Sequence, residues 1–263
     1  MMTLTELHWL NSPYKNMDSA YLLFIIQHLI YLFSKLWRYK IVHQNVTFSS
    51  KAEISEHIKQ AEDGSHYLLI YPGLSTLREI YSSCIKSEIE CSNNIVLILS
   101  YYESPDKLRK ILSDGFDSKN TDKDDTIDVR KYEKEGSLVI MDSLKGYFGS
   151  DHDYGVDSSS NGLMTFIRQL LKSAEHLGKN GISVFADLGS FYHYNEQDDY
   201  GKTSDRLVDY ELSLPSKYDG VKLKGFCIYH KADFDRRFTE EQKQKLLNHH
   251  GKGLLIDPTH IVQ

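Results

Sequence analysis

From His66 to Ile256 the chain alternates short, almost wholly apolar segments with segments of helical period, and this rhythm constrains the fold more than any other feature. The apolar segments are Tyr67–Tyr71, Ile95–Leu99, Ser137–Met141, Ile182–Ala186, Lys224–Tyr229 and Gly253–Ile256. None shows the polar alternation of a strand with one wet face. Such runs are covered on both sides, as in a parallel sheet between two helical layers. Helices are predicted over 52–61, over 75–91, from Pro105 through Leu112, within 158–178, over 202–217 and over 239–249. The predicted fold class is α/β, with three layers around a mainly parallel sheet.

The turn after the first of these strands is Pro72-Gly-Leu-Ser-Thr-Leu-Arg78. An ATPase of this plan carries G-x-x-x-x-G-K-[ST] there, so that backbone N–H groups and a lysine hold the phosphates. Gly73 is the only glycine in the turn, and the full motif occurs nowhere in the chain. The expectation is a RecA-like scaffold without its phosphate-binding loop.

With 263 residues, the chain accommodates one large α/β domain and an appendage. A net charge of −6 argues against a nonspecific nucleic-acid binder, which needs a basic face. Cys84, Cys91 and Cys227 form no C-x-x-C pair, and so sparse a set fits a reducing cytoplasm. The acidic run Asp122-Lys-Asp-Asp125 lacks the spacing and closing glutamate of a calcium loop and reads as a solvated loop within 114–136.

The most apolar stretch, residues 20–37, is interrupted by Gln27, His28, Ser34 and Lys35. A bilayer crossing needs roughly 20 predominantly apolar residues. A helix over 19–39 is expected, with an apolar face that forms a homodimer, folds back on its own domain or meets a membrane surface. The predicted division is a helical extension over 1–62 and an α/β domain over 63–263.

In open parallel sheets ligands bind beyond the carboxyl ends of the strands. That rule selects Tyr71, Pro72, Gly73, Tyr101, Tyr102, Asp142, Asp187, Tyr229 and His230 as rim residues. Asp187 closes its strand where an ATPase carries a metal-binding carboxylate; its other reading is a turn or helix cap. Glu211 sits on a helix in the apolar phase of Leu207, Tyr210 and Leu214, so it faces the core and needs a partner such as His230 or Arg206. His193, His230, His249 and His250 with Cys227 show no zinc-site spacing, and neither metal nor cofactor is expected. No signature activates any cysteine, and no Gly-x-Ser-x-Gly elbow is present.

Several short words carry a resemblance: His66 with Tyr71, Gly136-Ser-Leu-Val-Ile-Met-Asp142, Tyr210-Glu211, Cys227-Ile-Tyr229, and His250 ahead of Gly253-Leu-Leu-Ile256. Over about His66 to Ile256 the chain resembles the MEDS domain, the sensory domain of dichloromethane-responsive regulators and of methanogen and methylotroph signalling proteins. The resemblance implies a degenerate RecA- or KaiC-like domain with no working phosphate loop. The function expected is a non-catalytic signal-input domain of a cytoplasmic regulator. Its partner would be a small molecule or a signalling protein at Tyr71, Gly73, Tyr101, Asp142, Asp187, Glu211, Tyr229 and His230. The alternatives are an enzyme with an acid–base site built from Asp142, Asp187, Glu211 and His230, and an oligomerising scaffold.

Overall fold

Strands that are apolar on both faces are stable only between two covering layers, and the chain provides both. A computed structural model describes residues 45–48, 51–115, 126–148, 159–193 and 200–256. Among them seven strands form one sheet: β1 (Asn45–Phe48), β2 (His66–Tyr71), β3 (Ile95–Ser100), β4 (Leu138–Asp142), β5 (Ile182–Asp187), β6 (Leu223–His230) and β7 (Lys252–Ile256). Their spatial order is β1-β7-β2-β6-β5-β3-β4, and every neighbouring pair is parallel. The expected three-layer α/β architecture with a parallel sheet is what the chain adopts.

Two hydrophobic cores lie on opposite faces. One takes Val96 and Ile98 of β3 together with α1 (Lys51–Lys59), α2 (Leu74–Glu90), α3 (Pro105–Asp114) and α4 (Val129–Lys134). The other takes Ile95, Leu97 and Leu99 of the same strand. Its helices are α5 (Ser143–Phe148), α6 (Ser159–His176), α7 (Gly189–His193), α8 (Tyr200–Ser213), α9 (Lys231–Arg237) and α10 (Glu240–His249). The period-2 split of one strand between two cores is what makes its sequence read as a continuous apolar run. Local chemistry sets the helix starts: Ser104 caps α3 ahead of Pro105, and Thr239 forms a reciprocal capping box with Gln242 at α10.

The first core also encloses an ion pair. Glu88 on α2 and Lys224 on β6 are both buried, 3.1 Å apart, and the Glu88 carboxylate accepts further bonds from Asn94 and Ser183.

Several sequence expectations need correction. Ahead of the helix expected over 52–61, Asn45–Phe48 forms an edge strand, β1, paired with β7, and the helix itself starts at Lys51. β1, which belongs to the sheet, thus precedes residue 63 in the chain. Within the expected 114–136 loop, Val129–Lys134 is helical, capped by Asp128, because Val129 and Tyr132 reach the first core. The short helices α5, α7 and α9 escape a periodicity search, since two turns hold too few residues to show a period. The expected helix over 19–39 lies outside the described residues. No described helix is long and apolar enough to cross a membrane.

Candidate functional site

Beyond the carboxyl ends of the strands, aromatic and charged side chains gather around Asp187. Asp187 itself is 2% exposed. Its carboxyl accepts the backbone N–H of Gly189 at 2.8 Å, and the backbone N–H groups of Tyr101 and Tyr102 also donate to it. Burial pushes its pKa up to about 7, against the pull of those three amides. Asp187 thus ties the β5–α7 turn to the turn after β3.

Around it, the Tyr102 hydroxyl donates to Asp233, which also accepts from Arg236 at 3.1 Å and Arg237 at 3.2 Å. Burial would raise Asp233, but Tyr102 and Arg237 hold it below the usual carboxylate range. The His230 ring stands 5.3 Å from that of Tyr71 and 5.4 Å from that of Tyr102. The hydroxyls of Tyr71, Tyr81 and Tyr192 are buried without a hydrogen-bond partner among the described residues. Burial raises all three phenols, and the nearby Asp187 adds to the rise in each. Unpaired buried hydroxyls around a carboxylate make this rim the candidate site.

A cleft of about 440 Å³ opens beside the ends of β1, β2 and β7, with Ile70, Phe234, Leu247 and Leu255 in its lining. Its polar lining includes Lys231, Asp235, Glu240 and Lys243, and the first two and last two pair with each other.

Of the rim residues named from sequence, Tyr71, Tyr101, Asp187 and His230 come together with Tyr102. Tyr229 points the other way, into the second core against Phe234 and Phe238. Asp142 is half-buried and caps the start of α5 through Lys145 N–H at 3.1 Å. Glu211 is elsewhere altogether. It faces the core as its helical phase requires, but its partner is His250, at 2.9 Å, rather than His230 or Arg206. The four groups of the acid–base alternative therefore share no cleft. Asp233, Tyr81 and Tyr192 were not singled out from sequence. The rule that ligands bind beyond strand ends, applied to α9 as well as to β6, would have reached Asp233.

Gly73 is not a phosphate-loop glycine. Its backbone is extended (φ −171°, ψ 165°), a conformation open to any residue, and a Cβ built there meets nothing within 4 Å. Gly189 is the reverse case. A Cβ there falls 2.6 Å from Tyr101 Cδ1 and 2.7 Å from Tyr102 Cε2. Gly73→Ser is expected to change stability by less than about 1 kcal/mol, serine being a good N-cap. Gly189→Ala is expected to cost roughly 1–3 kcal/mol through overpacking of the two rings. Urea unfolding of the two variants side by side measures both. One Gly-Lys-Thr triplet, Gly201-Lys202-Thr203, does occur, but it lies in the first turn of α8, and the element before it among the described residues is the helix α7.

A second polar cluster lies in the second core, away from the rim. His66 opens β2, Cys227 lies within β6, Glu211 is on α8, and His250 directly follows α10. All four are buried, with Glu211 and His250 at 0% exposure. His66 Nε2 is 3.1 Å from Cys227 Sγ, which is 3.6 Å from Glu211 Oε1. Burial, reinforced by His250, lowers His66 to about 4, and burial also raises the Cys227 thiol. Burial alone would raise Glu211; His250 and His66 hold it below its usual range instead.

No family model matches the sequence, and no curated protein matches it. Among solved structures the chain is similar to a KaiC-like protein from the hyperthermophilic archaeon Pyrococcus horikoshii, at 15% identity and a TM-score of 0.38. The similarity covers 64% of this chain and 62% of that one.

Proposed function

We propose that this chain is a non-catalytic signal-input domain that binds a small molecule beyond the carboxyl ends of β1, β2 and β7. The observation that carries the reading is the 440 Å³ cleft, a volume within the range of small-molecule sites. Its apolar lining and flanking lysine–carboxylate pairs suit a compact molecule with an apolar body and one polar group. Tyr71, His230 and Asp233 directly adjoin the lining residues Ile70, Lys231 and Phe234 in sequence, and the proposed relay runs from them through Asp187 to the β3 and β5 turns. Resemblance to a sensory family supports the same reading. Melting-temperature shifts with a panel of small amphipathic compounds test it: shifts seen in the wild type should vanish in Leu247→Trp, which fills the cleft. ATP hydrolysis at enzymatic rates, lost in Asp187→Ala, would overturn it.

The same geometry argues against nucleotide chemistry. The triphosphate needs several N–H donors, a lysine and a metal acting together. Pro72 has no N–H, and the turn after β2 contains no lysine. Calorimetry with Mg-ATP is expected to show no binding tighter than about millimolar, and low-micromolar affinity would contradict this.

A further inference from the structure

We propose that His66, Glu211, Cys227 and His250 form a zinc(II) site that locks β2, β6, α8 and the end of α10 together. The ligand atoms of the four side chains all lie within 4.8 Å of one another. Zinc bonds of about 2.0 Å to nitrogen and oxygen and about 2.3 Å to sulfur put tetrahedral ligand atoms roughly 3.3–3.5 Å apart. The observed spacings of 3.1, 3.6 and 2.9 Å straddle that value.

The protons are arranged for a cation. His66 Nδ1 lies 3.0 Å from the Pro215 carbonyl oxygen, and His250 Nδ1 lies 2.8 Å from that of Leu246. A carbonyl only accepts, so each Nδ1 carries the proton, and in the neutral ring the Nε2 lone pair faces inward. This is the outer-shell bond that orients zinc-binding imidazoles. His250 Nε2 and Glu211 Oε2, though 2.9 Å apart, are not aligned as a hydrogen bond, and both are buried without one. With His250 neutral, two inward lone pairs at that distance repel, and a cation between them removes the repulsion.

Composition selects the metal. One thiolate, two imidazoles and one carboxylate suit zinc rather than calcium or magnesium, which take oxygen ligands. Two neutral imidazoles, one thiolate and one carboxylate also sum with Zn²⁺ to zero charge, as a dry interior demands. A cavity of about 30 Å³ has His66, Glu211 and Cys227 in its lining. Four buried protein ligands leave no open position, which makes the site structural. The proposal does not depend on the ligand-binding reading of the rim.

The test uses the full chain, expressed with zinc in the medium and purified under reducing conditions without chelator. Elemental analysis should find about one zinc per chain. After exchange to cobalt(II), tetrahedral ligand-field bands in the visible and a thiolate-to-cobalt band in the near ultraviolet should appear. The near-ultraviolet band should disappear in Cys227→Ser. Should that variant fail to fold, chelator-treated wild type titrated with zinc provides the second measurement, with a rise in melting temperature that saturates at one equivalent. Folded wild type that contains no zinc, gives no cobalt spectrum and melts unchanged with added zinc overturns the site. It would leave a metal-free Glu211–His250 ion pair. A cobalt spectrum unaltered in folded Cys227→Ser overturns it as well.

Discussion

Glu88→Ala is expected to lower the free energy of unfolding by about 3–5 kcal/mol, the usual cost of leaving a buried charge without its partner. The Lys224 ammonium lies 3.1 and 3.2 Å from the two carboxylate oxygens, and its side chain is only 7% exposed. Its other hydrogen bond among the described residues is a long one, 3.4 Å, to the Lys59 carbonyl. Removing the carboxylate also takes an acceptor from the Asn94 amide, 2.8 Å away, and from the Ser183 hydroxyl, 2.5 Å away, leaving them, among the described residues, only their 3.2 Å bond to each other. The charge is costly only while its counterpart remains. Replacing both partners by methionine should therefore cost much less than the two single alanine substitutions added together. Urea unfolding of the singles and the double decides it: a Glu88→Ala protein within about 1 kcal/mol of wild type would show that the pair is not the brace it resembles.

The second large effect is a pH dependence carried by Asp187. Its pKa rises from an ordinary 3.8 to about 7 on folding. The folded state thus favours the protonated carboxyl, and ionisation on raising the pH favours unfolding. The stability associated with this group is complete below about pH 4, falls between about pH 4 and 7, and is constant above. A change of about three in pKa corresponds to about 4 kcal/mol. Other acids titrate in the same region, and Asp233, Glu103 and Glu211 shift the opposite way, so a difference measurement is needed to isolate Asp187. The stability of wild type minus that of Asp187→Asn cancels them and should decline by about 4 kcal/mol across that window. A difference that stays flat from pH 4 to 8 would place the Asp187 pKa near its unfolded value.

Most of the sheet was legible because buried parallel strands are written as unbroken apolar words, and β2, β3, β5 and β6 could hardly be anything else. β1 was not: Asn45-Val-Thr-Phe48 is short and half polar, and only its pairing with β7 makes it a strand. Glu88 carried a signal that went unused, since it shares the core-facing phase of Cys84, Ile85 and Ile89 on α2. The rim was readable from the strand-end rule alone. The His66–Glu211–Cys227–His250 cluster was readable only in pieces. Each residue stands in a separate word of the sequence, and no local spacing reveals that two strands, a helix and a helix terminus bring them together. Register does that: β2 pairs with β6 so that His66 lies opposite Gly225, two residues before Cys227.

The position of β7 has a consequence for how the chain is made. β1 and β2 follow one another in sequence yet never touch as strands; β7, from the far end of the described chain, lies between them. During synthesis the β1 edge has no sheet to join until residues 252–256 have left the ribosome. Contacts of such long sequence separation close late and slowly. His250 arrives with the same segment. Until then Glu211, Cys227 and His66 lack their fourth companion, so this side of the molecule matures later than β3, β4 and β5, which can pair before it.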